Sequence, residues 1–281
     1  IIDALEALGY RSVASIVAIA AALDRATGWA DDVILAAIDD FTGVGLATLV
    51  DAVEAMGTSA LTGIINMLEA IGYADFPAIA AALDAATGFT DGEILNALDD
   101  ATTAALDELV DAIEAMGTSA LGTIIDMLEA IGYTDVIDLA EALDDATAAT
   151  YRQIVGALDD FTSASFNAIA EAVRDAGASF ATIVAALDAE TTAGVSAIAD
   201  AIRFAGASFT QVMQALEDEL DVTRYDTAAQ IRRLGASIDT VISALIDVYN
   251  ATITSIVDVL VDAIGLSLLA ATEAVCSLLG C

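Results

Sequence analysis

Apolar residues along this chain recur at spacings of three and four, which places them on one side of an α-helix, and no segment alternates as a half-buried strand would. After Gly57 the stripe is Leu61, Ile64, Ile65, Leu68 and Ile71; after Gly117 it is Leu121, Ile124, Ile125, Leu128 and Ile131. Aspartates fall off the stripe, as in Leu98-Asp-Asp, Leu143-Asp-Asp and Leu158-Asp-Asp, so the opposite face is anionic. The pattern predicts an all-α fold of amphipathic helices, each needing a neighbour to cover its apolar side. The methionines and Trp29 fall at the same spacing and are expected in the core.

The stripe repeats. Asp111 to Leu121 copies Asp51 to Leu61 with one substitution, sixty residues on, and Ile124 to Tyr133 echoes Ile64 to Tyr73 and, more loosely, Ile1 to Tyr10. Inside this duplication runs a finer ladder from Gly28 to Gly280, with a rung about every 15 residues. Glycine holds most rungs; Thr102, Thr147, Thr162, Thr192, Asp221 and Asn250 hold the others. About four turns of helix span one step.

Two architectures fit this ladder. In one, each rung ends a helix: Gly132-Tyr-Thr-Asp, Gly88-Phe-Thr-Asp and Gly57-Thr-Ser read as a left-handed C-terminal cap followed by the next N-cap, giving an α-solenoid of short helix pairs. In the other, the rungs are small residues at helix contacts or hinges, chiefly Gly57, Gly117, Gly177, Gly206, Gly235 and Gly265, and longer helices assemble into an oligomeric bundle. Residues 1–135 carry the better caps and predict short helices. Residues 136–236, where Gly-Ala-Ser-Phe or Gly-Ala-Ser-Ile recurs at Gly177, Gly206 and Gly235, predict helices of about 27 residues, near 40 Å long. Residues 237–281 form an apolar C-terminal helical segment. It is interrupted by Asp247, Asp258 and Asp262 and is expected to be buried in a bundle, since a spanning helix needs about 20 mostly uncharged residues.

Charge narrows the function. Forty-four acids face eight bases, all arginine, for a net charge of −36, and Asp outnumbers Glu 31 to 13. A field of that sign repels phosphate backbones and acidic headgroups, so no direct nucleic-acid binding is expected. The Asp-rich, Lys-free composition resembles that of proteins from extreme halophiles, in which salt screens self-repulsion.

Histidine is absent, which removes the commonest general base and every Ser-His or Cys-His pair, so no enzyme is expected. The doubled aspartates (39/40, 99/100, 144/145, 159/160) follow the repeat and read as a solvated face. Asp91-Gly-Glu lacks the alternating ligands of a calcium loop, no phosphate-binding glycine motif occurs, and no metal or cofactor is expected. Arg203, Arg232 and Arg233 are candidates for pairing with a neighbouring chain. Cys276 and Cys281 match neither a redox nor a zinc pattern. A first residue of Ile1 is expected of the ordered or processed part of a longer chain.

The run from Phe161-Thr-Ser-Ala-Ser-Phe to Gly177-Ala-Ser-Phe180, continuing through Gly206-Ala-Ser-Phe and Gly235-Ala-Ser-Ile, resembles the Ala/Gly/Ser-rich helical repeats of tape measure proteins of long-tailed viruses. The likeness covers roughly residues 134–281 and departs from the family in its longer rhythm. It implies a homo-oligomer, for example a trimer, filling the tail-tube lumen or tip, contacting tail-tube and tail-tip proteins, setting tail length and leaving during genome ejection. It also implies contact of the C-terminal segment with a host envelope, and the acidity implies a halophilic archaeal host. The rival from another class is an α-solenoid protein-binding scaffold of an extreme halophile.

The acidity carries its own test. Raising KCl from about 0.1 M to about 1 M shortens the Debye length from about 10 Å to about 3 Å, so the melting temperature of the protein should climb over that range. A flat or falling curve would remove self-repulsion as the dominant electrostatic effect.

Overall fold

The computed structural model describes residues 12–280, and among them every regular element is helical. The earliest copy of the Ile-Gly-Tyr motif at residues 1–10, the start at Ile1 and Cys281 lie outside the described residues. The chain separates into two compact units, Ile1–Thr134 and Asp135–Cys281.

The first unit contains α1 (Val13–Thr27), α2 (Asp31–Thr42), α3 (Leu46–Met56), α4 (Leu61–Ala70), α5 (Phe76–Ala86), α6 (Asp91–Ala101), α7 (Leu106–Ala115) and α8 (Leu121–Ala130). The second contains α9 (Val136–Ala146), α10 (Tyr151–Phe161), α11 (Phe166–Asp175), α12 (Phe180–Glu190), α13 (Val195–Phe204), α14 (Phe209–Leu220), α15 (Arg224–Arg233), α16 (Ile238–Tyr249), α17 (Ile253–Asp262) and α18 (Leu268–Leu279). Within each unit every helix packs against the next but one, and most also pack against the next in sequence, the pairs α4–α5, α7–α8 and α16–α17 excepted. Odd-numbered helices therefore form one row and even-numbered helices a second, which is the arrangement of an α-solenoid.

The stripe explains the stacking. In most helices the fourth, fifth, seventh and eighth residues are buried: Leu49, Val50, Ala52 and Val53 in α3; Ile94, Leu95, Ala97 and Leu98 in α6; Ile154, Val155, Ala157 and Leu158 in α10. The seventh is alanine in all three, and a small residue there lets the neighbouring helix approach. Each fully buried Leu or Ile contributes about 1.5–3 kcal/mol, so the quartets, supplied helix by helix, hold the stack. Thr227 is the one buried polar residue among those described, and its hydroxyl is satisfied by Tyr249 Oη at 3.0 Å.

The predicted 27-residue helices of residues 136–236 do not form; α9 to α15 are 10–12 residues long. The reason is that threonine ends a helix here as firmly as glycine does. Thr147, Thr162 and Thr191 each take extended backbone, donate a hydroxyl to the carbonyl four residues back (2.6 Å at Leu143, Leu158 and Leu187), and accept the amide two residues on. The rung expected at Thr192 is filled by Thr191. The same device closes α5 at Thr87, so Gly88, expected as a left-handed cap, is not one. In the first unit the axis turns by 120° between α3 and α4, at Gly57.

Starts were read with mixed success. Asp135 and Thr90 cap α9 and α6 as predicted, Thr90 in a reciprocal pair with Glu93. After Gly57 and Gly117, however, the N-caps are Ala60 and Ala120, which accept no side-chain bond, so Ser59 does not cap α4. Trp29, expected in the core, sits between α1 and α2 and is 50% exposed; of the methionines expected there, Met56 and Met213 are buried and Met67, Met116 and Met127 only half-buried. Deep in the second unit's apolar tail, Val241, Ile242, Leu245, Ile256 and Leu260 are buried as expected, but Leu268 and Leu269 on α18 are 67% and 69% exposed. Among the described residues no single helix is long and apolar enough to cross a membrane.

Two substitutions separate the roles of the ladder. Gly117 at φ +98° is strained for any L side chain, so Gly117→Ala should lower stability by about 1–2 kcal/mol in urea unfolding. Gly88→Ala, outside that region and with open space around it, should be neutral or stabilise by up to about 1 kcal/mol. Equal losses at both would contradict the capping assignment.

Candidate interaction surface

All six glycines expected as helix contacts or hinges lie at helix ends with positive φ, from +79° at Gly265 to +108° at Gly57. A Cβ at Gly57, Gly117, Gly206, Gly235 or Gly265 would meet nothing within 4 Å, and at Gly177 only the Tyr151 hydroxyl at 3.2 Å. The close-approach role is therefore corrected: these residues supply the left-handed turn that releases the chain into the next helix. At Gly57, Gly117 and Gly177 the following amide also bonds the carbonyl five residues back, the Schellman arrangement.

The doubled aspartates divide their work. Asp39 accepts the Tyr73 hydroxyl at 2.8 Å and Asp99 accepts that of Tyr133 at 2.8 Å, two copies of one tie across 34 residues. Tyr151 donates to Asp144 or to the Ala176 carbonyl, at 3.0 and 2.7 Å. Burial, then the Asp39 bond and charge, push Tyr73 up to about 12; at Tyr133 the Asp99 bond is the first cause of a rise in the same direction. Asp159 is raised by burial and by Asp160 beside it. The second aspartate of each pair faces solvent or stays half-exposed, and no group of three acids or cysteines placed to hold a metal occurs among the described residues. Cys276 is disulfide-bonded.

The arginines are ordered. Arg233, expected to reach another chain, is occupied within its own: its Nη1 donates to both carboxylate oxygens of Asp200 at 3.0 Å and its Nη2 to the Ser196 carbonyl at 2.9 Å. Arg152 pairs with Glu190. Arg203 and Arg232 instead cap helix ends, their Nη1 atoms donating to the carbonyls of Ala207 (2.8 Å) and Ala236 (2.6 Å). Arg174 does the same to Ala178 at 2.8 Å. The guanidinium groups of Arg174 and Arg203 also lie over the rings of Phe180 and Phe209, 4.9 and 4.6 Å from their centroids. The Gly-Ala-Ser-Phe signature is therefore the second half of an arginine clamp, a role the sequence reading missed although the arginine precedes each glycine by three.

Concave chemistry is sparse. An open depression of about 140 Å³ between α12 and α14, lined by Phe180, Gln211, Gln214 and Asp218, falls below the roughly 300–1,000 Å³ of small-molecule sites. The surface of the described residues is instead an acidic field with a few ordered arginines and exposed apolar side chains toward both ends, Val13, Trp29, Val33 and Phe41 around α1 and α2 and Leu268, Leu269, Leu278 and Leu279 on α18. Compared with known proteins, the chain matches no family model and no curated sequence.

The tyrosine ties have a pH signature. A tyrosine raised in the folded state favours folding in its protonated form; this contribution is complete below the ordinary value near 10 and is lost as pH climbs toward about 12 at Tyr73. Ultraviolet titration should therefore show late-ionising phenols, Tyr73→Phe should remove one of them, and its stability deficit should shrink between those two pH values. A deficit independent of pH would assign it to packing alone.

Proposed function

We propose that the chain is a non-enzymatic α-solenoid scaffold that acts through its surface on other proteins. The observation that carries this reading is that the apolar quartets are covered by neighbouring helices of the same unit, with Ile64, Ile65, Leu68 and their counterparts at 0% exposure. No second chain is needed to shield them. What is left outside is an anionic surface of regular pitch, suited to positioning partners along rows of short helices. The lack of histidine and the modest depressions support a non-catalytic role. High acidity fits a protein of a salt-rich cell interior.

A virion tail role, with the chain as a tape measure in the tail lumen or tip, is the second reading. The uncovered leucines of α18 favour it, because an apolar end suits docking to tail-tip proteins or contact with a host envelope. Under that reading several copies associate and the number of repeats sets a length.

Dilution distinguishes the two. The scaffold should stay helical and melt cooperatively at concentrations where sedimentation finds only monomer. Loss of helix on dilution would show that other copies must cover the stripes, and would favour the tail assembly. For the tail reading, deletion of one 29-residue repeat should shorten the assembled particle by a constant increment.

A further inference from the structure

At the ninth residue, three odd-numbered helices of the first unit carry an acid and three of the second carry an arginine, whereas α9 of the second unit carries Asp144. In α3, α5 and α7 it is Glu54, Asp84 and Glu114; in α11, α13 and α15 it is Arg174, Arg203 and Arg232. Each trio lies on consecutive helices of one row, α3 on α5 on α7 and α11 on α13 on α15. Both trios therefore step by about 8–10 Å, the spacing of packed helices. The arginines and Asp84 are exposed and Glu54 and Glu114 half-exposed.

Three aligned arginines without carboxylates are unexpected in a chain with 44 acids and eight bases. Among the described residues none of the three has a carboxylate within 4.0 Å, whereas Arg152 and Arg233 do. Each is nevertheless held in place: Nη1 is spent on an alanine carbonyl, and Arg174 and Arg203 stack on Phe180 and Phe209. The remaining N–H donors are left to solvent, pre-ordered for a bidentate acceptor. On the other unit, Glu54, Asp84 and Glu114 likewise form no ion pair among the described residues.

We propose that the arginine row Arg174–Arg203–Arg232 docks on the acidic row Glu54–Asp84–Glu114 of a second copy of this chain. Equal pitch matches three charges to three, and this matching supplies register and orientation more than affinity, because exposed pairs are individually weak. The contact joins different surfaces, so copies add head to tail and close into a ring or extend as a filament. Salt permits it: at about 1 M, where the Debye length is about 3 Å, the long-range repulsion between two bodies of charge −36 is suppressed, and the contact pairs are weakened but still set the register. The inference rests on the scaffold reading and names the partner.

Sedimentation velocity of the whole chain in about 1 M KCl tests it. The wild type should associate with rising concentration. R174E/R203E/R232E and E54R/D84R/E114R, each confirmed as folded by circular dichroism, should associate about tenfold more weakly or not at all, since each sets like charges against like. Mixed in equal amounts, the two variants should recover association, because each then offers the other an opposite row. Where charge reversal disturbs the alanine caps, R174Q/R203Q/R232Q replaces the first variant; alone it should associate more weakly than wild type, and it should be bound by E54R/D84R/E114R, whose intact arginine row can dock on its unchanged acidic row. A wild type that stays monomeric, variants that associate like it, or a mixture without recovery would overturn the proposal. A folded monomer in that case leaves the scaffold reading standing with a different partner, whereas loss of helix on dilution would remove the scaffold reading itself.

Discussion

The described helices share one problem: 10–15 residues hardly stand alone in water, because a helix that short is marginal even with favourable residues. The quartet at positions four, five, seven and eight solves it. It spans little more than one turn, so one helix on either side in the row and one in the facing row are enough to cover it. Ile64, Ile65 and Leu68 in α4, with α2 and α6 beside it in its row and α3 facing it, are sealed in this way. Breaks, caps and charges can then be placed freely on the remaining surface.

The breaks follow from that economy. A helix that continued through Gly177 or Thr147 would carry its stripe away from the neighbours that cover it, so the chain must turn every 15 residues or so. Two chemistries perform the turn. Glycine enters the left-handed region without a Cβ penalty, and threonine folds its hydroxyl back on the last turn while its oxygen holds the next amide. Arg174, Arg203 and Arg232 reinforce the glycine type from the outside by occupying a carbonyl the turn leaves open. The acid field and the arginine rows are thus laid on a framework that depends on neither.

Much of the fold could be read from spacing alone, and the surface far less. The 3-and-4 stripe predicts helices and their buried residues, and Gly132-Tyr-Thr-Asp predicts both a helix end and the Asp135 cap. Past residue 135 the helices are shorter than the glycine spacing predicts because threonine ends them as well, and its fold-back bond is invisible in a propensity argument. Trp29 failed because it lies just beyond a helix, where spacing no longer implies burial. Tyr73 with Asp39 and Tyr133 with Asp99 were detectable in principle as a pair repeated sixty residues apart, but nothing in the sequence says that 34 residues of chain bring them together.

The sequence by itself determined the helical class, the 15-residue rhythm, the inward face of each helix and the strength of the negative field, because these depend on side-chain chemistry and on the 3.6-residue period. Only the tertiary structure decided that the covering helices come from the same unit, that Arg233 is spent on Asp200, and that Arg174, Arg203 and Arg232 stand in a row without carboxylates. Those outcomes depend on which helices become neighbours. That is set by how closely alanine at the seventh position lets quartets approach, a matter of shape in three dimensions that no local pattern encodes.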